Sequence, residues 1–307
     1  MNDVFTRTPT GVVGSRYFFP KPIVWVEGPT DIYFYEPVVG HLNCVIKVFH
    51  GSSNAKALID ALVESACEYP YAVILDGDYS ILTQRRSLHR WVIVLRRYSF
   101  ENYLWEKSSL NRSCLKHAQC GDGGDVISAE FDRIEADLLT KMREAIELDV
   151  AARRADPAPK VIPDRVEALL TKPESPDICP VKVAKIVTDA KEALDAELIM
   201  QARSEVRLFL QTGRISWLLN GHVLFGIIQR MFTQITTQIR GKKVILNDDG
   251  LTQLLAEMVW RSIPSNEHQR LRRKLVSVVR ELNNASNVAY PLHQTSEPQC
   301  KKRCEKR

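Results

Sequence analysis

Acidic side chains follow two short apolar runs of the chain. Glu27 directly follows the first run, residues 23 to 26, and Asp31 lies beyond the Gly28-Pro29 turn, while Asp76 and Asp78 follow the second run, Tyr71–Leu75. If both runs are strands, their ends place these acids at one edge of a sheet. Like charges gathered in a small volume repel one another unless a cation lies between them, and carboxylates are preferred ligands of divalent cations. The spacing therefore predicts a divalent metal site.

The elements that must position these acids are predicted to be those of an α/β fold. Both apolar runs lack charged residues, which is typical of parallel strands buried on both faces. Residues 45 to 49 and 91 to 95 predict two further strands. Helices are predicted from Pro29, which suits a first helical turn, and from near Asn54, a good N-cap. This order predicts a mostly parallel sheet flanked by helices, and ligands of such sheets bind beyond the carboxyl ends of the strands.

These residues resemble a known family. Glu27-Gly28 with Asp31, followed after a strand and a helix by Asp76-Gly77-Asp78, is similar to the motif pair of Toprim domains. These domains occur in type IA and II topoisomerases, bacterial primases, recombination mediators and OLD-family nucleases. The stretch Arg97–Leu104 is similar to Toprim nucleases encoded beside OLD-like or ABC-like ATPases in bacterial anti-phage systems, above all the AriB-like effectors of the PARIS defence system. The Toprim resemblance covers residues 20 to 105 and implies a Toprim-like sheet.

The acidic residues are candidates for metal binding and for acid–base catalysis. Asp76 and Asp78 suit Mg²⁺, which takes one or two carboxylates together with phosphate oxygens of a substrate. The resemblance implies that Glu27 binds metal or acts as a general acid or base, and that Asp31 helps to hold a second ion. Glu101 is a further catalytic candidate at the same edge. One or two Mg²⁺ ions, or Mn²⁺ in their place, are thus expected.

Each acid also has a structural alternative. An Asp-x-Asp pair such as Asp76 and Asp78 is often a turn with solvated acids. Asp31 alone could complement the helix dipole in a first turn, and Glu101 could be a surface or structural acid. The two motifs occurring in the right order on the right elements favour the metal site over these alternatives.

Basic residues near the acids are candidates for binding phosphate. They are Arg85, Arg86, Arg90, Arg96, Arg97 and His222. Guanidinium groups bind phosphate bidentately and do not lose their proton, so the arginines could guide a nucleic-acid backbone. His222 follows Gly221, and this pair resembles a Gly-Lys or Gly-His position of some of these Toprim proteins. The alternatives are a solvated basic loop and a structural histidine.

The remaining sequence predicts a large helical region. The predicted parts are a Toprim-like catalytic domain at 1–105, a helical insertion at 106–214, a C-terminal helical region packed on the core at 215–295, and a basic, disordered tail at 296–307. Helical spacing is clear over residues 128 to 154 and 181 to 210, with proline-rich breaks between them. Polar residues interrupt the apolar stretch 215 to 232, so no membrane span or membrane partner is expected.

Composition limits the class of protein. The net charge of +5 is compatible with nucleic-acid binding, although the tail supplies most of it. Seven irregularly spaced cysteines favour a reduced protein over a disulfide scaffold, and the N-terminus lacks a secretion signal, so a cytoplasmic location is expected. Cys114, His117 and Cys120 lie close together but lack a clear fourth ligand, so a zinc site is disfavoured.

The resemblance also implies an activity. It suggests a metal-dependent endonuclease that serves as the toxic effector of an abortive-infection system. An ATPase partner would hold it inactive and release it, as a homodimer, to cleave RNA, with tRNA expected first. A DNA-nicking or DNA-degrading nuclease and a non-catalytic subunit that binds nucleic acid or the ATPase are the alternatives. A dehydrogenase-type nucleotide-binding protein is disfavoured because no G-x-G-x-x-G follows the first strand.

Overall fold

The sheet that the described residues form has four parallel strands. The computed structural model describes residues 21–64, 71–83, 89–121, 124–212, 214–243 and 245–289. The strands are β1 (Ile23–Val26), β2 (Val45–Val48), β3 (Tyr71–Leu75) and β4 (Val92–Val94). Their order is β2-β1-β3-β4, and each neighbouring pair is parallel. The predicted α/β class with a parallel sheet is therefore confirmed.

Three helices connect the strands and a fourth follows β4. They are α1 (Pro29–Val39), α2 (Ser52–Glu64), α3 (Ser80–Thr83) and α4 (Glu101–Leu104). Pro29 occupies the first turn of α1, as the sequence predicts. The N-cap role predicted for Asn54 is wrong, because α2 already begins at Ser52. The Asn54 amide instead donates to the carbonyls of Phe49 at 2.6 Å and His50 at 2.9 Å, so it stabilises the turn between β2 and α2.

Helices form most of the rest of the described chain. They are α5 (Lys107–Ala118), α6 (Ser128–Asp137), α7 (Arg143–Ala152), α8 (Pro180–Ala193), α9 (Ala196–Leu210), α10 (Gly221–Arg240), α11 (Asp248–Ser262) and α12 (Asn266–Ala289), with a π turn at Leu138–Met142 and 3₁₀ turns at Val166–Ala168 and Ile215–Trp217. The predicted helical region and its breaks are thus present. Within the described ranges, no helix has the length and apolarity that crossing a bilayer requires.

One continuous apolar core joins the sheet to these helices. Helix α11 packs against α1, where the Trp260 ring lies 5.0 Å from that of Phe34 and its indole N–H donates to the Phe34 carbonyl at 2.6 Å. Helix α10 packs against α4 and α5, so the start of α10 lies close to the motif that follows β4. The division of the chain into four parts stays a prediction, and the tail at 296–307 lies outside the described residues.

Candidate active site

The first acidic pair lies where β1 passes into α1. Asp31 is buried in the first turn of α1, and its carboxylate accepts a hydrogen bond from the backbone N–H of Glu27 at 3.2 Å. The Asp31 N–H in turn donates to the Gly28 carbonyl at 3.2 Å. These bonds fix the turn and hold Asp31 beneath the more exposed Glu27. Asp31 therefore complements the helix terminus, as its structural alternative proposes, and also lies beside a second carboxylate.

The second acidic pair lies directly after β3, in a tight loop that requires glycine at position 77. A Cβ atom on Gly77 would come within 2.1 Å of the Arg97 carbonyl oxygen and 2.4 Å of the Leu95 carbonyl oxygen. Asp78 has a φ of +46° and donates its N–H to the Tyr98 carbonyl at 2.8 Å. The loop is thus held against the chain that leaves β4, and this contact requires the glycine.

Glu101 begins α4 and is buried at 6% exposure beside the second pair. Its position depends on Asn102, whose amide donates to the carbonyls of Ser216 at 2.6 Å and Leu219 at 2.8 Å. The Asn102 side-chain oxygen accepts bonds from the N–H and hydroxyl of Ser99, both at 2.8 Å. Asn102 therefore fastens the segment after β4 to the segment before α10, a structural role that sequence reasoning did not assign.

Gly221 and His222 lie at the start of α10, next to Glu101. The His222 Nδ1 atom lies 3.5 Å from Glu101 Oε1, and the His222 side chain is 73% exposed. A Cβ atom on Gly221 would lie 1.9 Å from Ser99 Oγ and 2.6 Å from Glu101 Oε2, so this close approach also requires glycine. Asn220 caps the helix through bonds from the N–H groups of His222 and Val223. His222 is thus not a buried structural histidine.

The carboxylates at the sheet edge repel one another. Burial is the main cause that raises the pKa of Asp31 to about 7, and the negative charges of Glu101 and Glu27 also raise it. Backbone hydrogen bonds from Gly28 and Glu27 act in the opposite direction and lower the pKa. Loss of hydration raises the pKa of Glu27, and the charges of Asp78 and Glu101 raise it further. Burial also raises the pKa of Asp76 well above its usual range, and the negative charges of Glu101 and the other acids raise it further. The structure therefore brings Glu27, Asp31, Asp76, Asp78 and Glu101 into one electrostatic group.

This donor set has the chemistry that a divalent cation requires. Mg²⁺ and Mn²⁺ bind carboxylate oxygens, and a cation would relieve the repulsion that raises these pKa values. Across the described ranges, no three His, Cys, Asp or Glu side chains already converge on a common point, and Cys114, His117 and Cys120 are no exception. The carboxylates would therefore have to turn towards an ion.

The predicted basic residues do not form one surface. Arg85 and Arg86 lie outside the described residues. Arg90 lies over the Trp91 ring at 4.8 Å, and Arg96 pairs with Glu267 of α12 at 2.9 Å. Arg90 and Arg96 line a separate groove between β4 and α12. Only His222 of the described basic candidates lies beside the acids.

The phosphate-binding role expected of Arg97 is wrong. Its side chain is 2% exposed, and the guanidinium lies between the rings of Tyr103 and Trp217, 4.6 Å from each centroid. It donates to the Asn102 carbonyl and to Glu106, both at 2.6 Å. Arg97 therefore acts as a buried structural cation, because the segment after β4 turns inwards between aromatic rings.

An open cavity of about 400 Å³ lies beside the acidic group. Asp76, Glu101 and His222 line this cavity. Further lining residues come from the end of α7 and the following loop, including Arg153 and Lys160, which lie about fifty to sixty residues after Glu101 in the chain. Sequence reasoning missed these two cations, because nothing in the helical pattern of this region marks them as facing a site.

Comparisons with known proteins add no assignment: no protein-family model matches this chain, and no curated protein is similar to it.

Proposed function

We propose that this protein is a metal-dependent endonuclease of the Toprim type, with Mg²⁺ or Mn²⁺ as its cofactor. The observation that supports this most is the group of carboxylates after β1, in the first turn of α1, after β3 and at the start of α4, of which Asp76 and Glu101 line an open cavity. Such a group is unfavourable without a cation and suits phosphodiester hydrolysis with one. The proposal combines this geometry with the motif resemblance described above.

The residues of the group would divide the work of hydrolysis. Asp31, Asp76 and Asp78 would hold one or two ions, which supply Lewis acidity towards a phosphate oxygen. Glu27 would accept the proton of the attacking water, because its exposed carboxylate lies next to the acids that would hold the ions. His222 would donate a hydrogen bond to a phosphate oxygen, and Glu101, 3.5 Å away, would orient its ring.

The substrate and regulation in this proposal come from the resemblance alone. RNA, with tRNA first, is the proposed substrate, and DNA is the competing one. The protein would act in the cytoplasm as an anti-phage effector, held inactive by an ABC- or OLD-like ATPase and active as a homodimer.

A cleavage assay with matched variants tests this proposal. Purified protein is incubated with total RNA or plasmid DNA in Mg²⁺, and the ends produced are sequenced. Glu27→Ala should lower cleavage at least ~100-fold, the usual contribution of a general acid or base. Glu36→Ala changes an exposed glutamate in α1 and should leave the rate unchanged.

The outcomes separate the candidate functions. New ends in the RNA support the effector proposal. New ends in the DNA alone mean that DNA, the alternative substrate, is the one that the protein cleaves. If the wild-type protein yields no new ends, or if Glu27→Ala cleaves like the wild type, the enzymatic proposal is wrong. A non-catalytic binding subunit would then be favoured.

A further inference from the structure

The helical region contributes one wall of the cavity beside the acids, and this wall carries two cations, Arg153 and Lys160, as well as two acids, Asp149 and Asp164. Arg153 follows the last residue of α7, and Lys160 lies in the loop behind it. A phosphodiester is an anion, so Asp76 and Glu101, which also line this cavity, would repel it. Cations on this wall would offset that repulsion.

Arg153 is held at this wall by neighbours that leave part of its guanidinium available. Its Nη2 atom donates to the Tyr98 hydroxyl at 2.7 Å and lies 3.4 Å from Asp78 Oδ1. The side chains of Arg153 and Asp78 are 49% and 47% exposed. Exposed ion pairs contribute little free energy, so Arg153 can exchange Asp78 for another anion at low cost.

Hydrogen bonds of Asp149 fix the backbone of α7 just before Arg153. Asp149, one helical turn earlier, is buried and accepts a hydrogen bond from the Tyr79 hydroxyl at 2.6 Å. Its second oxygen accepts from the N–H of Ile162 at 3.2 Å. These bonds connect α7 with the loop after β3 and with the segment beyond Lys160. The helical region is thereby fixed against the acidic motif, which places the arginine reproducibly.

We infer that Arg153 binds a non-bridging phosphate oxygen of a nucleic-acid strand in this cavity, and that its present pairing with Asp78 is released when the strand enters. Lys160, at the rim, adds a second phosphate contact and gives up its present partner Asp164. This inference rests on the proposed function, since it supposes a nucleic acid at the acidic group. The helical region would then supply substrate-binding residues in addition to packing against the sheet.

Binding measurements without turnover test this role. The probes are a fluorescent single-stranded RNA oligonucleotide and a DNA oligonucleotide of the same sequence. Their anisotropy is followed with Ca²⁺ in place of Mg²⁺, and a gel verifies that the strands stay intact. Arg153→Gln should weaken binding of the preferred strand about tenfold, the scale of one charge-assisted hydrogen bond. It should also reduce the salt slope by ~0.7, the value for one phosphate contact on a single strand.

Arg143→Gln is the matched control. Arg143 begins the same helix, is 45% exposed and pairs with Glu147 at 3.0 Å, but it does not line the cavity. Its substitution should change affinity less than about twofold and leave the salt slope as it is. Arg153→Lys, which keeps the charge, should recover part of the binding that Arg153→Gln loses.

A second measurement separates substrate binding from a structural role. Calorimetric titration with Mg²⁺ should show that Arg153→Gln binds the metal as tightly as the wild type or more tightly, because a cation next to Asp78 is removed. Weaker binding of both Mg²⁺ and nucleic acid would overturn the inference, since Arg153 would then only shape the site. Equal affinities of Arg153→Gln and Arg143→Gln for the strand would overturn it as well.

The inference and the proposed function fail in different ways. If the wild type binds and cleaves a strand but Arg153→Gln binds it equally well, only the inference is wrong. If the expected loss occurs in a protein that never cleaves, the inference stands and the enzymatic proposal is wrong. If the wild type binds neither RNA nor DNA, both are wrong. The tighter-binding strand of the two identifies which nucleic acid supplies the phosphate.

Discussion

The acidic cavity and the basic groove show two ways in which this fold places charge. The acidic cavity lies beside Asp76 and Glu101, while the basic groove, between β4 and α12, is lined by cations that include Arg96 and Lys274. In the groove, Arg96 pairs with Glu267 and Lys274 donates to the Arg90 carbonyl at 3.3 Å. The acids repel one another, whereas these cations have anionic or carbonyl partners. Arg96 and Lys274 are thus paired within the protein, whereas Asp76 is buried among like charges.

The two regions also titrate in opposite directions. Burial and like charges raise the pKa of Asp31 to about 7 in the acidic group. Behind the groove, burial and the Arg97 charge lower the pKa of His268 to about 3. The neutral His268 ring is fully bonded, with Ser265 Oγ at 2.8 Å and the Tyr103 carbonyl at 2.9 Å. Its 3.7 Å approach to Glu106 is therefore not an ion pair at neutral pH.

The largest expected effect comes from the glycine that supports the acidic side. Gly77→Ala should lower the free energy of unfolding by ~3 kcal/mol, because its Cβ would collide with the rigid backbone at Leu95 and Arg97. Gly121→Ala is the control, since a Cβ at Gly121 meets no atom within 4 Å. Urea unfolding measures both variants. Equal stability of the two would show that the loop after β3 is not held as described.

A smaller effect is expected at Asp31. Its folded pKa lies above its unfolded value of 3.8, so the unfolded state loses its proton first and stability falls as pH rises from about 4 to 7. Asp31→Asn keeps an acceptor for the Glu27 N–H but cannot ionise. Between pH 5 and pH 7 the variant should therefore lose about 2 kcal/mol less stability than the wild type. Urea unfolding of metal-free protein across this range measures it. Parallel pH profiles for variant and wild type would contradict the repulsion account.

His268 should show the smallest effect and the opposite sign. Its folded pKa lies below its unfolded value of 6.5, so the unfolded state gains a proton first and stability falls as pH drops from 6.5 towards 3. This term should cost about 1 kcal/mol between pH 7 and pH 5.5, and His268→Gln should lack it. The comparison uses the slope of stability against pH, since the substitution itself will also lower stability. An unchanged slope would mean that the pKa of His268 in the fold is close to its unfolded value.

Sequence reasoning succeeded where local pattern and position coincide. Glu27 and Asp76 each follow a recognisable strand, so the parallel sheet brings them to one edge without further information. Arg97 was misjudged because its burial depends on Trp217, more than a hundred residues later. Arg153 was missed for the same reason, since its approach to Asp78 depends on how α7 packs. Local sequence therefore predicted the acids, while the partners of the arginines are set by tertiary contacts.

We expect the acids that follow β1 and β3, together with Glu101 of α4, to hold a divalent cation. Calorimetric titration of Mg²⁺ and Mn²⁺ into the wild type, Asp76→Asn and the control Asp60→Asn, an exposed aspartate in α2, tests this expectation most directly. The wild type and Asp60→Asn should bind one or two ions with equal affinity, and Asp76→Asn should bind at least ~10-fold more weakly while remaining folded. An Asp76→Asn protein that binds these ions as tightly as the wild type, or a wild type that binds neither, would contradict the account.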